Sequence, residues 1–596
     1  MDQKTEGSIV MVSITSNLAD LEQLVGKQLP RNEEQLNELF YSIKCETSNL
    51  VIGDEAMSSL RDDAELQIEN VDTNRPDTWS TEGIARALRG VLGLETGLKK
   101  YDISSKIATD ISVDKELTDI RPYIACVVAR GVKLSDEIIR GIIQLQEKLD
   151  QSYGRKRKRS SIGFYDFDLI TPPLRYGVAE PDEVRFIPLQ GTDPMSLREI
   201  LQKHPKGIEY GQILTNREKL PILMDAKHQV LSFPPIINSN DLGRIVPETK
   251  NILVEITGTN MKTVLNCLTI LATTLADRGG TLFPARIRYK NANSKPAITP
   301  DLRIRTIRLP IQQVKEIIGF ELIPSRIIKL LRVARYDARR LNSKTLTVTI
   351  PCYRLDILHP NDVIEDVAIA YGLNKIEPKW PSDLTIGGLS PLEDYSDRVR
   401  GLMVGFGFQE VLTFMMTNQE RLFSKMNKPE TRIVEISNPK VITLTCLRPE
   451  LLPSLLEFLS NNSHVQYPQN LFEIGDCTVW AKEQPMDIRK LGCVSTHAHA
   501  NFTEMKSILE TLMLNLGFNF NLRPTSNPSF LQGRVGSVIV NQNEVGSIGE
   551  VHPQVIENWK LENPVTAMEL DLSQLFTSKK SSAGEASQQP TSERAN

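Results

Sequence analysis

No apolar run in this 596-residue chain reaches the roughly 18 residues that a transmembrane helix requires. Residues Met1 to Glu6 lack the basic and apolar regions of a secretory signal. No two of the seven cysteines (Cys45, Cys126, Cys267, Cys352, Cys446, Cys477 and Cys493) stand at CxxC spacing, which fits buried free thiols in a reducing compartment. The seven histidines form no HExxH. His497 and His499 have only Cys493 as a nearby cysteine, and read as a surface pair rather than a zinc site. No excess of one charge sign is present. The net charge of −4 excludes a polyanion-coating protein and leaves nucleic-acid contact to local patches. No tandem repeat appears; Arg75-Pro76-Asp77 and Arg354-Leu355-Asp356, each before a helix, are only an echo. The expectation is a soluble, cytoplasmic protein.

What is present is a chain 40% hydrophobic and 24% charged, long enough for about four domains at roughly 150 residues each. Residues 1–110 read as an α+β domain, with a strand at Val10–Ile14, a helix from Asn17 to Val25 stopped by Gly26, and a helix through Ile84, Leu88 and Val91. Residues 111–290 form a second α+β domain. Its strands are predicted at Ile120–Val132, Val230–Asn238 and Ile252–Gly258, and its helices at Ser135–Leu149 and Thr263–Ala276. Residues 297–380 carry helices Ile311–Ile318, Ser325–Arg335 and Pro360–Tyr371 and a strand at Leu346–Ile350, a helix-turn-helix-like pattern. Residues 385–576 alternate helices and strands (Tyr395–Gly405, Glu410–Met416, Leu451–Asn461, Gln469–Trp480, Glu504–Leu516, Val535–Gly549), the signature of an antiparallel sheet with helices. The polar tail 577–596 is expected to be disordered.

Two familiar motifs fail on inspection. Gly258-Thr259-Asn260-Met261-Lys262-Thr263 has Met261 and Ile256 where a phosphate loop needs glycine, so its amides cannot wrap a phosphate. Lys425-Met426-Asn427-Lys428-Pro429 resembles a class I synthetase lysine loop, but the His-Ile-Gly-His partner is absent and a solvated helix end fits better. The acidic cluster has more content. Asp362, Glu365 and Asp366 lie at i, i+3 and i+4 on one face of a helix opened by Pro360, with Asp356 just upstream. Four carboxylates suit Mg²⁺ or Ca²⁺ rather than zinc; the same acids also complement a helix dipole without any metal. Arg155 to Arg159 is the densest basic run, either a solvated linker or a contact for RNA phosphates. Ser232, Glu255 and Thr257 fall on predicted strands that can be neighbours, and Glu255 and Thr257, two residues apart, face one side. A carboxylate and two hydroxyls could line a small polar pocket, although Thr and Ser in strands are usually cross-strand pairs or surface residues.

Several stretches taken together resemble the phenylalanyl-tRNA synthetase beta subunit of the archaeal and eukaryotic-cytosolic type. They include Asn74-Arg75-Pro76-Asp77, Ser232-Phe233-Pro234-Pro235-Ile236-Ile237-Asn238, Thr257-Gly258-Thr259, the helix Asp362 to Gly372, Ile436-Ser437-Asn438-Pro439, Arg448-Pro449-Glu450-Leu451-Leu452-Pro453 and Gly546-Ser547-Ile548-Gly549-Glu550-Val551-His552-Pro553. The resemblance runs from about Val10 to Phe576. It implies a class II aminoacyl-tRNA synthetase of two alpha and two beta chains. The alpha chain activates phenylalanine with ATP and charges the tRNA. The beta chain contributes a catalytically inactive class II-like domain (385–576), a helix-turn-helix-like module (297–380) and an editing domain (111–290) that hydrolyses tyrosine wrongly attached to the tRNA. By resemblance, Leu223, Ser232, Glu255 and Thr257 line the editing pocket, and Asp356, Asp362, Glu365 and Asp366 hold Mg²⁺. The bacterial beta subunit's N-terminal tRNA-binding insertion and C-terminal anticodon-type domain have no counterpart here, which points to the archaeal type. The alternatives are a structural subunit without editing and a free-standing RNA-binding, trans-editing protein with no alpha partner.

Overall fold

The computed structural model describes residues 12–47, 64–70, 72–290, 296–381 and 385–578. They divide into two compact units, one within Ile9–Lys379 and one within Trp380–Asn596.

The first unit opens with a small layered module. β1 (Val12–Asn17) and β2 (Cys45–Thr47) flank β3 (Glu65–Asn70), all antiparallel. Val10 and Met11 of the predicted first strand lie outside the described residues. α1 (Leu18–Val25) begins where the Asn17 side chain accepts from the Asp20 amide. It ends at Gly26, whose φ of 80° glycine adopts without steric cost. α2 (Glu33–Tyr41) and α3 (Thr81–Val91) close the module around Leu18, Leu21, Phe40 and Leu88.

A ten-stranded sheet follows. Its members are β4 (Thr109–Val113), β5 (Tyr123–Arg130), β6 (Ser160–Asp166), β7 (Leu174–Ala179), β10 (Leu220–Met224), β11 (Val230–Phe233), β12 (Ile237–Asn238), β13 (Asn251–Gly258), β14 (Thr281–Tyr289) and β15 (Ala297–Thr299). The strands β8 (Arg185–Phe186) and β9 (Met195–Ser196) pair separately. The spatial order is β12-β11-β10-β7-β4-β14-β5-β13-β6, with β15 beside β14. β14 therefore joins two half-sheets, pairing parallel with β4 and antiparallel with β5. The helices of this region are α4 (Asp136–Lys148), α5 (Leu197–Lys203), α6 (Pro205–Tyr210) and α7 (Met261–Asp277). β5 and β13 are buried on both faces. Val127, Val254 and Ile256 share a core with Leu145 of α4 and Leu268 of α7. Cys126, Val128 and Leu253 share the opposite core with Tyr165, Tyr176 and Leu223. Double burial explains why both strands read as continuous apolar runs. The sheet curls until its end strands meet: the Tyr165 hydroxyl of β6 lies 3.3 Å from Asn238 Oδ1 of β12.

The last part of this unit is a three-stranded antiparallel sheet, β16 (Arg305–Pro310), β18 (Thr345–Ile350) and β17 (Asp337–Arg340) in spatial order. It carries α8 (Ile311–Ile318), α9 (Pro324–Val333) and α10 (Pro360–Tyr371), whose apolar faces share one core with it.

The second unit is built on a seven-stranded sheet ordered Gln409–Glu410, Gln469–Ala481, Gln484–Thr496, Val565–Asp571, Asn543–Val551, Phe530–Val540, Asn521–Pro524. All its pairings are antiparallel except the first. Helices Pro391–Gly405 and Phe502–Leu516 cover one face and Leu452–Asn461 the other. Three expectations need correction. The run Glu410–Met416 is not one strand but the ends of two, Gln409–Glu410 and Met416–Thr417. Val535–Gly549 is a hairpin that turns at Asn541 and Gln542, both at positive φ, a turn that lacks the usual glycine signal. The chain is still helical at Thr577 and Ser578, where the disordered tail was expected to begin; residues 579–596 lie outside the described residues. Among the described residues no helix is long and apolar enough to cross a membrane.

Candidate active site

Glu255 sits on the side of β13 that faces the interior of the curled sheet, opposite Cys126 on β5 and Gly163 on β6. It is 3% exposed. Its Oε2 accepts a 2.9 Å hydrogen bond from the Tyr165 hydroxyl, while Oε1 is buried with no hydrogen-bond partner. Burial pushes its pKa up to about 7, against the opposing pull of the Tyr165 hydrogen bond and the Arg121 charge. The arrangement depends on a missing side chain. A Cβ at Gly163 would lie 2.3 Å from the Tyr165 hydroxyl and 2.8 Å from Glu255 Oε2. A glycine inside a strand is the sequence signal of such a close approach, and it would have led to Gly163 and Tyr165.

Ser232 lies on β11 opposite Leu223 on β10, and its hydroxyl is also buried without a partner. Ser232 and Glu255 both line a cavity of about 550 Å³, together with Phe164, Phe233, Ile236 and Asn238. Their strands are not neighbours, contrary to expectation. Five strands separate β11 from β13 in the sheet, and the two residues share the cavity because the sheet curls. The other two expected site residues stand behind the cavity wall. Thr257 Oγ1 accepts from Arg121 Nε at 2.9 Å and lies 3.2 Å from Ser161 Oγ. Leu223 is fully buried in the core with Tyr176 and Leu231.

The basic run contributes one side chain to this wall. Arg155, Lys156 and Arg157 adopt left-handed backbone angles just after a π-helical turn at Leu149–Tyr153. Arg157 turns inward, donating to the carbonyls of Pro235 (3.1 Å) and Ile236 (2.9 Å), with its guanidinium over the Tyr210 ring. Its Nε lies 3.2 Å from Asp150, a carboxyl that burial pushes up to about 7. Arg155, Lys156, Lys158 and Arg159 are exposed. Lys206 and Arg244 complete a basic rim, with His204 beside them.

The acidic cluster is arranged differently. Asp356 and Asp366 share Arg354, which donates to both carboxylates at 2.6–2.9 Å, and the Tyr336 hydroxyl donates to Asp366. Asp362 turns back to accept from the Leu358 and His359 amides, each at 2.7 Å. Glu365 pairs with Lys44 at 2.9 Å. The donor chemistry suits a hard cation, but each carboxylate points to its own protein partner. Among the described residues no group of three or more His, Cys, Asp or Glu side chains is placed to hold a metal ion. The four residues as placed do not fit a Mg²⁺ centre, and a guanidinium occupies the position between the two most buried of them. His497, for its part, lies 2.9 Å from Glu504.

Known sequences and structures give this geometry a context. The profile of the tRNA synthetase B5 domain matches residues 307–373, and that of the phenylalanyl tRNA synthetase beta chain CLM domain matches residues 376–572. Over 561 residues the chain is 41% identical to the phenylalanine–tRNA ligase beta subunit of Pyrococcus furiosus, covering 94% of this chain and 98% of that one. This chain belongs to the phenylalanine–tRNA ligase beta subunit family. The family member from Methanocaldococcus jannaschii is 38% identical over 567 residues, covering 94% of this chain and all of that one. A crystal structure of an N-terminal fragment of the Pyrococcus horikoshii beta subunit superposes with a TM-score of 0.56 at 36% identity, over 60% of this chain and 99% of the fragment. The acidic cluster of this family member falls inside the B5 match, whereas the Glu255 cavity lies outside both profile matches.

Proposed function

We propose that this beta subunit acts with an alpha chain to attach phenylalanine to its tRNA, and that the Glu255 cavity hydrolyses tyrosine placed on that tRNA in error. The observation that carries the editing reading is the buried Glu255 carboxyl with one oxygen held by Tyr165 and the other free. An apolar pocket that selects phenylalanine rejects an analogue with one added hydroxyl by only about a hundredfold. A second site that hydrogen-bonds the hydroxyl reverses the preference. Tyrosine satisfies Oε1 of Glu255, whereas phenylalanine leaves a buried carboxyl unpaired. A group titrating near neutrality can do this in either state, since the carboxylate accepts from the phenol and the acid donates to it. The aromatic ring lies among Phe164, Phe233 and Ile236, and the Ser232 hydroxyl orients the ester or the attacking water. Water adds to the ester carbonyl, the bond to the ribose oxygen breaks, and tyrosine leaves a free ribose hydroxyl. Thr257, tied to Arg121, acts as a positioning residue, and Leu223 as packing behind Ser232. The basic rim of Lys206 and Arg244 suits the phosphates of a tRNA 3′ end.

The same reading gives adenylate chemistry, with ATP and phenylalanine, to the alpha chain in a cytoplasmic class II assembly of two alpha and two beta chains. Leu412, Phe414 and Ile442 on the second unit are strongly exposed apolar side chains that such a partner would cover. Mg²⁺ at the acidic cluster would have to displace Arg354 and Lys44, so no step is routed through it. Co-expression with the alpha chain, followed by charging and deacylation assays, tests the whole reading. Charging is expected only with both chains, and tyrosyl-tRNA deacylation is expected to fall by at least about a hundredfold in Glu255→Ala with charging intact. Charging without deacylation in the unaltered complex would leave a structural subunit, and no complex at all would leave a free-standing RNA-binding protein.

A further inference from the structure

A second cavity, of about 480 Å³, lies in the first unit between α3 and α9, and the editing reading makes no use of it. The two helices approach closely above it, since a Cβ at Gly90 would lie 2.3 Å from the Val333 carbonyl. Its wall carries eight basic side chains and three acidic ones. Several of those cations are already neutralised: Arg75 by Asp77, Lys44 by Asp72 and Glu365, Arg354 by Asp356 and Asp366. Three are not. Among the described residues Arg326, Lys329 and Lys375 have no ion-pair partner, and Arg326 and Lys329, three apart on α9, share one face.

Deeper in the wall stand donors without a hydrogen-bond partner, although the Arg86 guanidinium also stacks 4.1 Å from the centre of the Tyr353 ring. Arg86 is 4% exposed and Arg335 3% exposed, each held on one side by a carboxylate (Asp277 and Glu95). Yet Nη1 of Arg86, Nε of Arg335 and the Tyr353 hydroxyl are all buried without a hydrogen-bond partner. Unpaired buried donors are costly, and like charges around one opening repel. Ala87, Val91, Leu330 and Val333 add an apolar patch beside the cations. The volume falls within the roughly 300–1,000 Å³ of ordinary small-molecule sites.

We propose that this cavity binds a phosphorylated small molecule of about mononucleotide size, with its phosphate among Arg326, Lys329 and Lys375 and its less polar body on the Ala87–Val333 side. Guanidinium and ammonium groups that line one cavity, with spare N–H donors, match phosphate oxygens better than a single carboxylate. The buried donors behind the exposed cations favour a free ligand that enters the cavity over an RNA backbone. The assignment stands apart from editing, since no residue of the Glu255 cavity takes part.

The test is calorimetric titration of inorganic pyrophosphate and of AMP into the full chain without added divalent cation. Both are expected to bind. Arg326→Glu/Lys329→Glu is expected to weaken each by at least about tenfold, with an unchanged melting temperature because both side chains are exposed. Lys375→Glu, on a separate segment, is expected to weaken them in the same direction. No binding of either probe at millimolar concentration overturns the proposal, and so does binding that the double variant retains. A tRNA transcript that binds through these residues while neither probe does would assign the cations to a nucleic-acid backbone, and the small-ligand site would fall.

Discussion

Two groups of buried carboxylates in the same unit have opposite surroundings. Around Arg354 the acids are paired with protein donors: Asp356 and Asp366 share its guanidinium, and Asp362 Oδ2 takes two backbone amides. Beside the cavity of about 550 Å³ Glu255 accepts a hydrogen bond from one phenol, and its Oε1 has no hydrogen-bond partner. The chemistry follows. Arg354 and its neighbours hold the Asp356 carboxyl down to about 2, whereas burial raises that of Glu255 to about 7. A carboxylate paired with a buried guanidinium holds parts of a fold together. One kept short of partners is available to a ligand, and the fold carries the cost.

The comparison breaks most visibly at Arg354. Arg354→Met leaves Asp356 and Asp366 buried without their counter-charge, and is expected to cost about 3–5 kcal/mol in a denaturant titration. Replacing Asp356 and Asp366 by leucine in the same variant should recover most of that loss, because an apolar cluster needs no compensation.

The pH dependence sharpens it. The folded-state pKa of Glu255 lies above its ordinary value of 4.5, so the native state holds the extra proton. Its contribution is full below about 4.5 and is lost as pH rises through about 7. Asp356 behaves in reverse: its contribution is present above its ordinary 3.8 and is lost as pH falls through about 2. Between pH 5 and 8 the unfolding free energy should therefore decline by an amount on the order of 3 kcal/mol from Glu255, with Asp150 acting in the same direction. Glu255→Gln is expected to flatten that decline, and an unchanged slope in the variant would remove Glu255 as its source.

Gly163→Ala should follow, at about 1–3 kcal/mol, by forcing Tyr165 and Glu255 apart. Its deacylation rate should fall further than its stability predicts, a split that a purely structural glycine would not produce. The smallest effect is expected from Mg²⁺. With Arg354 and Lys44 already on the carboxylates, millimolar Mg²⁺ should raise the melting temperature of the chain by no more than about 1 °C. A larger rise that is absent in Asp362→Asn would show the cation displacing protein partners.

Local order was plain in the sequence, while the meeting of distant segments was not. Asn17, Gly26 and Pro360 mark helix ends by their own chemistry, and α10 spans Pro360–Tyr371 as its pattern predicts. The shared side of Glu255 and Thr257 follows from strand geometry. What pattern could not supply was the curl that carries Ser232 across five strands to Glu255. Nor could it show that Thr257 is spoken for by Arg121, or that one arginine of the basic run faces inward. Helical spacing likewise put Asp362, Glu365 and Asp366 on one face, but Lys44 and Arg354, which decide what those acids do, come from elsewhere in the chain.

The bridging position of β14 has a consequence for the order of events during synthesis. The half-sheet with Ser232 and the half-sheet with Glu255 are both complete by Gly258, yet only Thr281–Tyr289 holds them in one sheet. A nascent chain that has released every residue lining the Glu255 cavity still lacks the strand that sets its two walls in register. The closed cavity should thus arise late, when that strand leaves the ribosome, and a polypeptide ending before Thr281 should carry every lining residue with the Glu255 wall formed but not joined to the Ser232 wall.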